Sequence, residues 1–286
     1  MYRYRYMQDE KNVALVTGSS SGIGFETALL LARNGFHTYA SMRNLEKSKE
    51  ITQITSKEKL PLQVVQLDVN DDMSVKEAID KIESEQRRID VLVNNAGYVL
   101  LGPVEQLSID EFKEQFETNS FGVIRVIQAV LPTMRRQRGG TIVNISSSAG
   151  RIGLPLNSPY VASKFALEGL SESIAYEVEQ FGIRVVIIEP GFIRTNLINS
   201  GASPKRALDP KSPYFSLMEK VENHFKSMME NVSSSSPAEE VAKVILEAVR
   251  SENPELRYTI STTIIQARMN MSDREFHKMI MQNFSI

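Results

Sequence analysis

The chain contains 286 residues, of which 42% are hydrophobic and 24% are charged, and its formal net charge is −2. This length and composition suit a globular protein with one large α/β domain or two small ones, and the scattered charges offer no basic face for a nucleic acid. The absence of cysteine excludes disulfides, cysteine-bound zinc and a thiol nucleophile.

The start of the chain carries no recognisable targeting signal. Residues 1–11 are polar and aromatic, without the apolar stretch of a signal peptide, and we interpret them as a flexible tail. A contact with another subunit is the alternative. No apolar run reaches the ~18 residues of a membrane span. Together with the lack of cysteine, this predicts a cytoplasmic protein with no membrane-spanning segment.

Seven short runs rich in β-branched residues predict strands, and most of these runs are continuously apolar. This pattern is typical of a parallel sheet that is covered on both faces. The runs are 12–18, 36–42, 62–69, 90–97, 140–147, 183–190 and 257–261, and helical patterns between them include 24–35, 73–86, 108–134 and 158–181. The alternation predicts a single doubly wound α/β domain over residues 12–286, with about seven parallel strands and helices on both faces.

The alternation is interrupted once, at 192–236, where the sequence predicts no strand but an amphipathic segment at 213–230. Regular structure resumes with Ser236 as the predicted helix N-cap and Pro237 at the first helical position. An insertion after a strand's carboxyl end lies where open sheets bind ligands, so we interpret it as a helical lid over a substrate site. A surface excursion without that role is the alternative.

A glycine-rich stretch, VTGSSSGIG (16–24), follows the first predicted strand and opens a helix. Gly18, Gly22 and Gly24 allow a sharp turn and a close approach of the backbone to a pyrophosphate, whose charge the free N–H groups of the helix start would bind. We therefore predict a dinucleotide site, with a tight turn that binds nothing as the alternative.

The end of the second strand indicates which dinucleotide binds. Dinucleotide folds usually place an acidic residue there for the ribose hydroxyls, but residues 41–43 contain no carboxylate and end in Arg43. A guanidinium suits a 2′-phosphate, to which Ser21 could donate a second hydrogen bond. The sequence therefore favours NADP over NAD, unless Arg43 is a solvated charge near Glu46.

Polar and small residues also follow the third and fourth strands. Asp68 could accept a hydrogen bond from the adenine amino group, while Ala96 and Gly97 leave room for a ribose. Asn94 and Asn95 are costly to bury without hydrogen bonds, so we expect them to tie neighbouring strands together.

The sixth strand ends in EPGFIRT (189–195). Pro190 and Gly191 turn the chain sharply, which frees backbone N–H groups for a nicotinamide carboxamide. Thr195 could bind either the amide or the phosphate. These features extend the predicted dinucleotide site to a third strand end.

The expected substrate wall is mostly apolar, which favours a hydrophobic alcohol or ketone over a sugar or an acid. An inward-facing Arg151 or Arg194 would argue against this interpretation, and some of the apolar residues could instead pack the lid. The wall residues are Val99, Leu100, Leu101, Ile152, Leu154, Leu156, Phe192, Leu197, Phe215, Leu217 and Met218.

Tyr160 and Lys164 are four residues apart and therefore share one face of a helix. A free phenol has a pKa of about 10, and a neighbouring ammonium favours the phenolate. A lowered pKa would make Tyr160 an acid/base group near neutral pH. From this spacing alone, the alternative is an exposed Tyr–Lys pair on a helix surface that has no catalytic role. The three histidines are scattered and form no ligand set, so no metal is expected.

Six motifs, in one order, resemble the short-chain dehydrogenase/reductase family from about Asn12 to Tyr258. They are TGSSSGIG (17–24), NNAG (94–97), a helical Asn119, NISSSAG (144–150), YVASK (160–164) and PGFIRT (190–195). The stretches that look closest to its 17β-hydroxysteroid and retinol dehydrogenase branch are YASMRNL (39–45), LLGPVEQL (100–107) and YVASKFALEGLSES (160–173). The resemblance implies a Rossmann-type fold and, from the family's paired long helices, a homodimer or homotetramer.

The resemblance also implies roles for four side chains. Tyr160 would be the acid/base, and Lys164 would reach the nicotinamide ribose. Ser147 would hydrogen-bond the substrate oxygen; only its 13-residue separation from Tyr160 selects it over the two adjacent serines. Asn119 would hold a water that links Lys164 to solvent. The full set of expected cofactor contacts is Gly18, Ser20, Ser21, Gly22, Ile23, Gly24, Arg43, Asp68, Val69, Asn95, Ala96, Gly97, Tyr160, Lys164, Pro190, Gly191, Ile193 and Thr195.

The sequence thus predicts an NADP(H)-dependent oxidoreductase that interconverts a hydrophobic secondary alcohol and a ketone or aldehyde, with NAD(H) possible as the cofactor. One alternative is a protein of the same fold that senses NADP(H) without turnover, against which the complete set Ser147, Tyr160 and Lys164 speaks. Another is a methyltransferase-like domain, against which the missing acid after the second strand speaks.

Overall fold

The computed structural model describes residues 12–194, 209–230, 236–260 and 263–286. The predicted N-terminal tail, residues 1–11, lies outside this part of the chain. So do two stretches of the predicted lid, 195–208 and 231–235.

Strands of two sheets run through the described residues. They are β1 (Val13–Val16), β2 (His37–Met42), β3 (Leu62–Gln66), β4 (Val91–Asn94), β5 (Gly140–Ile145), β6 (Ile183–Pro190), β7 (Ile193–Arg194), β8 (Ser236–Pro237) and β9 (Arg257–Ile260). The central sheet has seven parallel strands in the order β3-β2-β1-β4-β5-β6-β9. All seven predicted strands are therefore confirmed. Several end two or three residues earlier than predicted, because the residues that follow leave the sheet.

The helices pack on both faces of this sheet, as expected for a doubly wound fold. They are α1 (Gly22–Arg33), α2 (Lys49–Glu58), α3 (Asp72–Gln86), α4 (Ile109–Phe116), α5 (Gly122–Gln137), α6 (Ser158–Val178), α7 (Phe215–Glu230), α8 (Ala238–Arg250), α9 (Thr263–Asn270) and α10 (Asp273–Asn283). Within the described ranges, no helix combines the length and the apolar character needed to cross a bilayer.

The long helix predicted at 108–134 is interrupted. It begins at a capping box, in which Ser108 accepts from the N–H of Glu111 and the Glu111 side chain accepts from the N–H of Ser108. A π-helical turn, Glu117–Phe121, then separates α4 from α5. Turns of this kind often mark functional positions, and this one contains Asn119.

The insertion after β6 departs from the prediction in two ways. It does hold strand structure, because β7 pairs with β8 in a two-residue parallel ladder. In addition, α8 begins at Ala238 with Pro237 as its N-cap, one residue later than predicted. The N–H of Ser236 bonds the carbonyl of Phe192 instead of starting a helix.

The strands are buried on both faces, which explains their continuous apolar pattern. Val13 and Leu15 of β1 pack with residues of α3, α5 and α6, whereas Ala14 and Val16 pack with residues of α1 and α8. All four side chains are fully buried. Burial of a Val or Leu side chain stabilises a fold by about 1.5–3 kcal/mol, so two apolar layers hold the sheet in place.

A chain of buried polar side chains crosses from the sheet to α6. The Asn94 amide on β4 donates to the Asn144 Oδ1 on β5 over 2.9 Å, and the Asn144 amide donates to the Ser171 Oγ over 2.9 Å. Asn144 and Ser171 are fully buried. The expectation that Asn94 ties neighbouring strands together is confirmed.

Replacement of Asn144 by Ala tests this tie. The change leaves a buried donor on Asn94 without its acceptor and removes the hydrogen bond that the Ser171 hydroxyl accepts, although that hydroxyl still donates to the Leu167 carbonyl. We therefore expect a loss of about 2–3 kcal/mol in the free energy of unfolding, measured by urea titration. Asn70→Ala is the control, because the Asn70 amide donates only one exposed hydrogen bond, to Thr118, and its loss should cost about 0.5 kcal/mol or less. Equal losses for the two variants would contradict the assignment.

Candidate active site

One cavity of about 1840 Å³ opens at the carboxyl ends of the parallel strands. The strand order reverses between β1 and β4, which is where open α/β sheets bind ligands. The predicted site residues that line it are Gly18, Ser20, Ser21, Gly22, Ile23, Arg43, Asp68, Val69, Asn95, Ala96, Gly97, Ser147, Tyr160, Lys164, Pro190, Gly191 and Ile193. Of the other predicted residues, Gly24 and Asn119 are not in this lining and Thr195 lies outside the described residues.

The glycine-rich turn between β1 and α1 is packed tightly against the end of β4. Gly18 has a φ of +67°, and a Cβ there would lie 2.8 Å from the Ala96 Cα. A Cβ on Gly24 would lie 2.4 Å from the Asn95 Nδ2 and 2.6 Å from the Gly18 carbonyl oxygen. Gly24 therefore serves the close packing of the turn, which explains its absence from the cavity lining.

Asn95 and Thr17 hold this turn from the side of β4. The Asn95 amide donates to the carbonyls of Thr17 and Gly18, over 2.9 and 3.1 Å, and the N–H groups of Asn95 and Ala96 both donate to the Thr17 Oγ1 over 3.0 Å. The predicted tie by Asn95 is confirmed. These bonds leave the N–H groups at the start of α1 directed to the cavity side, where Ser21 makes no side-chain cap bond.

Two cationic side chains, Arg43 and Lys47, line the end of the cavity that lies beyond β2. Arg43 is exposed and forms no ion pair with a described residue, and Glu46 is not among the lining residues. Lys47, which the sequence interpretation missed, also lines this end. Asn44 accepts from the N–H of Glu46 and so starts a 3-10 turn at 45–48, which brings Lys47 back to the cavity. The only signal for it was the stretch 44–47, in which an Asn is followed by a Leu and then by two charged residues.

Tyr160, Lys164 and Ser147 meet at the middle of the cavity. Tyr160 and Lys164 are 8% and 6% exposed, so they are not a surface pair. The Lys164 Nζ donates to the Ile145 carbonyl at the end of β5 over 2.7 Å and lies 5.7 Å from the centre of the Tyr160 ring. Ser147 accepts from the N–H of Ala149, which fixes the turn after β5.

The pKa of the phenol differs from the sequence-based expectation. Burial raises the pKa of Tyr160 to about 12, and a hydrogen bond with Ser147 opposes this effect. Burial lowers the pKa of Lys164 to about 8, and the charge of Glu168 opposes it. The sequence suggested the attraction between the two groups but not the depth at which both lie, and here desolvation outweighs that attraction.

Asn119 lies behind the cavity wall, fully buried. Its amide donates to the carbonyl of Tyr98 over 3.0 Å and to the Ser163 Oγ over 3.2 Å, and its Oδ1 accepts from the N–H of Tyr98 over 3.1 Å. Ser163 in turn donates to the carbonyl of Tyr160 over 2.7 Å. Asn119 thus links the loop after β4 to the helix that carries Tyr160.

The other half of the cavity is largely apolar, but its composition differs from the prediction. Val99, Leu101, Ile152, Leu154 and Phe192 line it as expected, while Leu100, Leu156, Phe215, Leu217 and Met218 do not, and Leu197 lies outside the described residues. Arg151 is held away by an ion pair with Glu189 over 2.9 Å. Arg194 does line the cavity, and this one cation argues against a wholly apolar substrate wall.

A wall from the last two helices was not predicted. Residues of α9, of α10 and just after α10 join those of the predicted lid helix α7 to complete this half: His224, Phe225, Met228, Ile264, Ala267, Met279, Asn283 and Phe284. The ring of Phe284 lies 4.2 Å from that of His224 and 5.9 Å from that of Phe225, between ring centres. Apolar residues at helical spacing near the end of the chain were the available signal, but they do not reveal which element they face.

The described ranges contain no group of three or more His, Asp or Glu side chains placed to hold a metal ion. His224 belongs to the aromatic cluster with Phe225 and Phe284, and burial lowers its pKa. Among the described residues that line the cavity, Tyr160 and Lys164 are the titratable side chains that are buried.

Residues 12–205 match the family model described as short chain dehydrogenase, and the chain belongs to this family. It is an oxidoreductase that acts on CH–OH and C=O groups with a nicotinamide cofactor. Bovine retinol dehydrogenase 8 is 38% identical over 90% of this chain and 83% of its own length. Human 17-beta-hydroxysteroid dehydrogenase type 1 is 37% identical over 92% of this chain and 82% of its own length. The predicted family and branch are confirmed.

Solved structures of similar proteins contain either form of the cofactor. ElxO with NADP bound has a TM-score of 0.73 and 30% identity, over 87% of this chain and 97% of that one. A short chain dehydrogenase/reductase from Burkholderia phymatum in complex with NAD has a TM-score of 0.78 and 22% identity, over 94% and 95%. The fold is shared, and the choice of cofactor rests on this chain's own residues.

A methyl group added at Gly24 tests the packing of the turn. Replacement of a helical glycine by alanine normally stabilises a helix by about 1 kcal/mol. For Gly24→Ala we expect the opposite sign, a lower melting temperature, because the new Cβ would collide with Asn95 and the Gly18 carbonyl. Gly153→Ala, with no atom within 4 Å of the new Cβ, should melt close to the wild type.

Proposed function

We propose that this protein is an NADP(H)-dependent oxidoreductase that interconverts a hydrophobic secondary alcohol and its ketone, or a primary alcohol and its aldehyde, with Tyr160 as its acid/base. The observation that carries the proposal is the meeting of Tyr160, Lys164 and Ser147 in one cavity that starts at the glycine-rich turn. A nicotinamide supplies or accepts the hydride, so the protein must supply binding, orientation and a proton.

The glycine-rich turn fits the pyrophosphate of a dinucleotide. Gly18 and Gly22 have positive φ angles, and the turn leads directly into the N-terminus of the 12-residue helix α1. The N–H groups and the dipole of such a helix start bind phosphate. A cavity of about 1840 Å³ exceeds the roughly 300–1,000 Å³ of a typical small-ligand pocket, which leaves room for a dinucleotide and a second ligand together.

Arg43 and Lys47 favour NADP over NAD. Both line the end of the cavity next to Ser20 and Ser21, and no acidic residue takes the place where a ribose diol would be bound. Two cations and hydroxyl donors suit a 2′-phosphate dianion, whereas a plain ribose would gain little from them. NAD(H) is the alternative cofactor.

Tyr160 has the properties of a proton donor to a carbonyl oxygen. Its raised pKa keeps the phenol protonated at neutral pH. Ser147, which hydrogen-bonds it, is placed to bind the same oxygen. In the reverse direction, the charged Lys164 amine and a positive nicotinamide ring would both favour the phenolate. The role of Asn119 as holder of a water next to Lys164 stays a prediction.

The apolar half of the cavity supports a hydrophobic substrate. Phe192, Phe225, Met228, Met279 and Phe284 surround it, so a polar sugar would lose its hydration without compensating hydrogen bonds. The retinoid and steroid named in the two relatives are of the same apolar class. We propose that α7, within the insertion 192–236, acts as the lid over this half.

Two further features of the protein are part of the proposal. Phe121, Phe165 and Tyr176 expose 52%, 46% and 78% of their surface on the π-turn and α6, which supports a homodimer or homotetramer. A location in the cytoplasm fits the lack of cysteine.

A cofactor sensor without turnover is the second candidate. It would bind NADPH through the same turn and cations, but no member of a broad panel of apolar ketones and aldehydes would be reduced. Burial of the polar side chains of Tyr160 and Lys164 lowers the stability of the fold. A sensor has no need of this buried acid/base pair, which favours the enzyme.

Tyr160→Phe removes the proton donor while keeping the ring. We expect kcat for ketone reduction to fall by about 10²–10⁴-fold, with the Kd for NADPH from fluorescence titration changing by less than about threefold. Tyr176→Phe, on the exposed side of the same helix, is the control and should retain full activity. Unchanged turnover in Tyr160→Phe would refute the proposed role.

Arg43→Asp tests the cofactor preference. Loss of a charged hydrogen bond to a 2′-phosphate costs about 1.5–3 kcal/mol, so the ratio of kcat/KM with NADPH to that with NADH should fall by about 10- to 100-fold. Arg135→Asp makes the same change in net charge at an exposed site on α5 and should leave the ratio as it is. An unchanged ratio in Arg43→Asp would mean that the preference is set elsewhere.

A further inference from the structure

A buried carboxylate lies one helical turn beyond Lys164. Glu168 of α6 is 5% exposed, and its Oε2 accepts from the Arg257 Nε over 3.1 Å. Its Oε1 is also buried. Burial raises the pKa of this carboxyl, and hydrogen bonding with Ser146 and the charge of Arg257 oppose that effect and favour the carboxylate. The proton transfer proposed above does not use this group, although burial of a carboxylate is costly unless the charge serves a purpose.

Glu168 belongs to a cluster of charges that runs from α6 to the ends of β6 and β9. Arg257 of β9 also contacts Glu172 and lies 3.3 Å from the Glu189 Oε1 of β6. Glu189 is 1% exposed and pairs with Arg151. The three carboxylates outnumber the two guanidinium groups by one, and Lys164 lies one helical turn from Glu168.

The Oε1 of Glu168 lies at the turn after β5, the same segment that Lys164 contacts. A Cβ built on Gly150 would be 3.2 Å from the Glu168 Oε1 and 2.7 Å from the Ser146 Oγ. Side chains on a helix lean towards its N-terminus, so Glu168 leans towards the turn of α6 that carries Lys164. The Lys164 amine is bound to Ile145, next to Ser146.

The groups around Lys164 are few. On α6 they are Tyr160 and Glu168; the turn after β5 contributes hydroxyls and Arg151; β6 and β9 contribute Glu189 and Arg257; and the π-turn contributes the uncharged Asn119. Burial lowers the pKa of Lys164, and the charge of Glu168 is what opposes that effect. Glu189 pairs with Arg151 and Arg257, and Arg257 also pairs with Glu168. Of these charges, that of Glu168 is the one that acts on the Lys164 amine, from one helical turn away.

We propose that Glu168 is a positioning residue that acts through Lys164: its buried carboxylate, anchored by Arg257, holds the Lys164 amine in the charged form that proton transfer at Tyr160 requires. Without this carboxylate the pKa of Lys164 would fall below about 8. The amine would then lose its proton, and the enzyme its activity, at a lower pH than in the wild type. Only the activity part of this inference rests on the proposed function.

The test compares Glu168→Gln, which keeps the shape and removes the charge, with two other variants of the full chain. Glu168→Asp keeps the charge but withdraws it by one methylene. Glu172→Gln removes a carboxylate that also pairs with Arg257 but is half exposed and two turns from Lys164. The first readout is an NMR titration of lysine labelled with 13C at Cε, in which the Lys164 resonance is identified by its loss in Lys164→Arg. The second is the pH profile of kcat/KM for alcohol oxidation, the direction in which the charged amine favours the phenolate.

We expect Glu168→Gln to lower the titration midpoint of Lys164 and the pKa of the alkaline limb of kcat/KM by about one pH unit. At pH values above the alkaline limbs of both the wild type and the variant, kcat/KM of the variant should therefore be about tenfold lower. Glu168→Asp should shift both in the same direction by less than half as much, and Glu172→Gln should shift neither. Should Glu168→Gln fail to fold, the direction of the Glu168→Asp shift still decides.

An unchanged midpoint in the Glu168 variants, or a loss of activity at every pH without a shift, would overturn the proposal and leave Glu168 a structural residue. If the wild type reduces no carbonyl compound, the proposed function fails, but the NMR midpoints still report on Glu168 by themselves.

Discussion

The hydrogen bond from the buried Lys164 amine to the Ile145 carbonyl is the contact on which the site depends. It joins helix α6 to the end of β5 and so positions the helix that carries Tyr160 along the strand direction, relative to the carboxyl ends of the strands. The hydrogen-bonded chain Asn94–Asn144–Ser171 makes a second connection between the same helix and the sheet, through a bond between two residues that are 27 positions apart in the sequence. With both in place, Tyr160 meets Ser147 without any freedom of α6 to slide along the sheet.

The same edge is shaped by close backbone packing. The glycine-rich turn lies so near to Ala96 and Asn95 that side chains on Gly18 or Gly24 would displace it. Gly18 and Gly24 let β1 and β4 approach, and the phosphate of the proposed dinucleotide would lie at the same motif. The cations beyond β2 and the phenol on α6 line the one cavity to which this turn belongs, as a dinucleotide with a reactive end would require.

Much of this arrangement could be predicted from the sequence, because strands, strand ends and helix spacing are local properties. The seven strands and the meeting of Tyr160, Lys164 and Ser147 follow from the pattern of apolar runs and from motif order. The π-turn at Asn119, the wall from α9 and α10, and the place of Lys47 could not be predicted, since each depends on which elements meet in space. The pKa of Tyr160 was wrongly expected to be lowered, for the same reason. The sequence shows that a charged Lys164 is near, but it does not show how deeply Tyr160 is buried, and burial raises the pKa.

The two halves of the cavity are supported by different cores. The cofactor half is built on strand ends that are continuous with the two main apolar layers, whereas the other half rests on a small separate cluster that includes Ile152, Val221, Phe276, Ile280 and Phe284. A mutation in that small cluster can reshape the space offered to a ligand while the sheet and its motifs stay intact. Proteins with this fold can therefore evolve different substrate specificities while they keep the same catalytic residues. The boundary between the small cluster and the two main apolar layers separates the part that can vary from the part that must be kept.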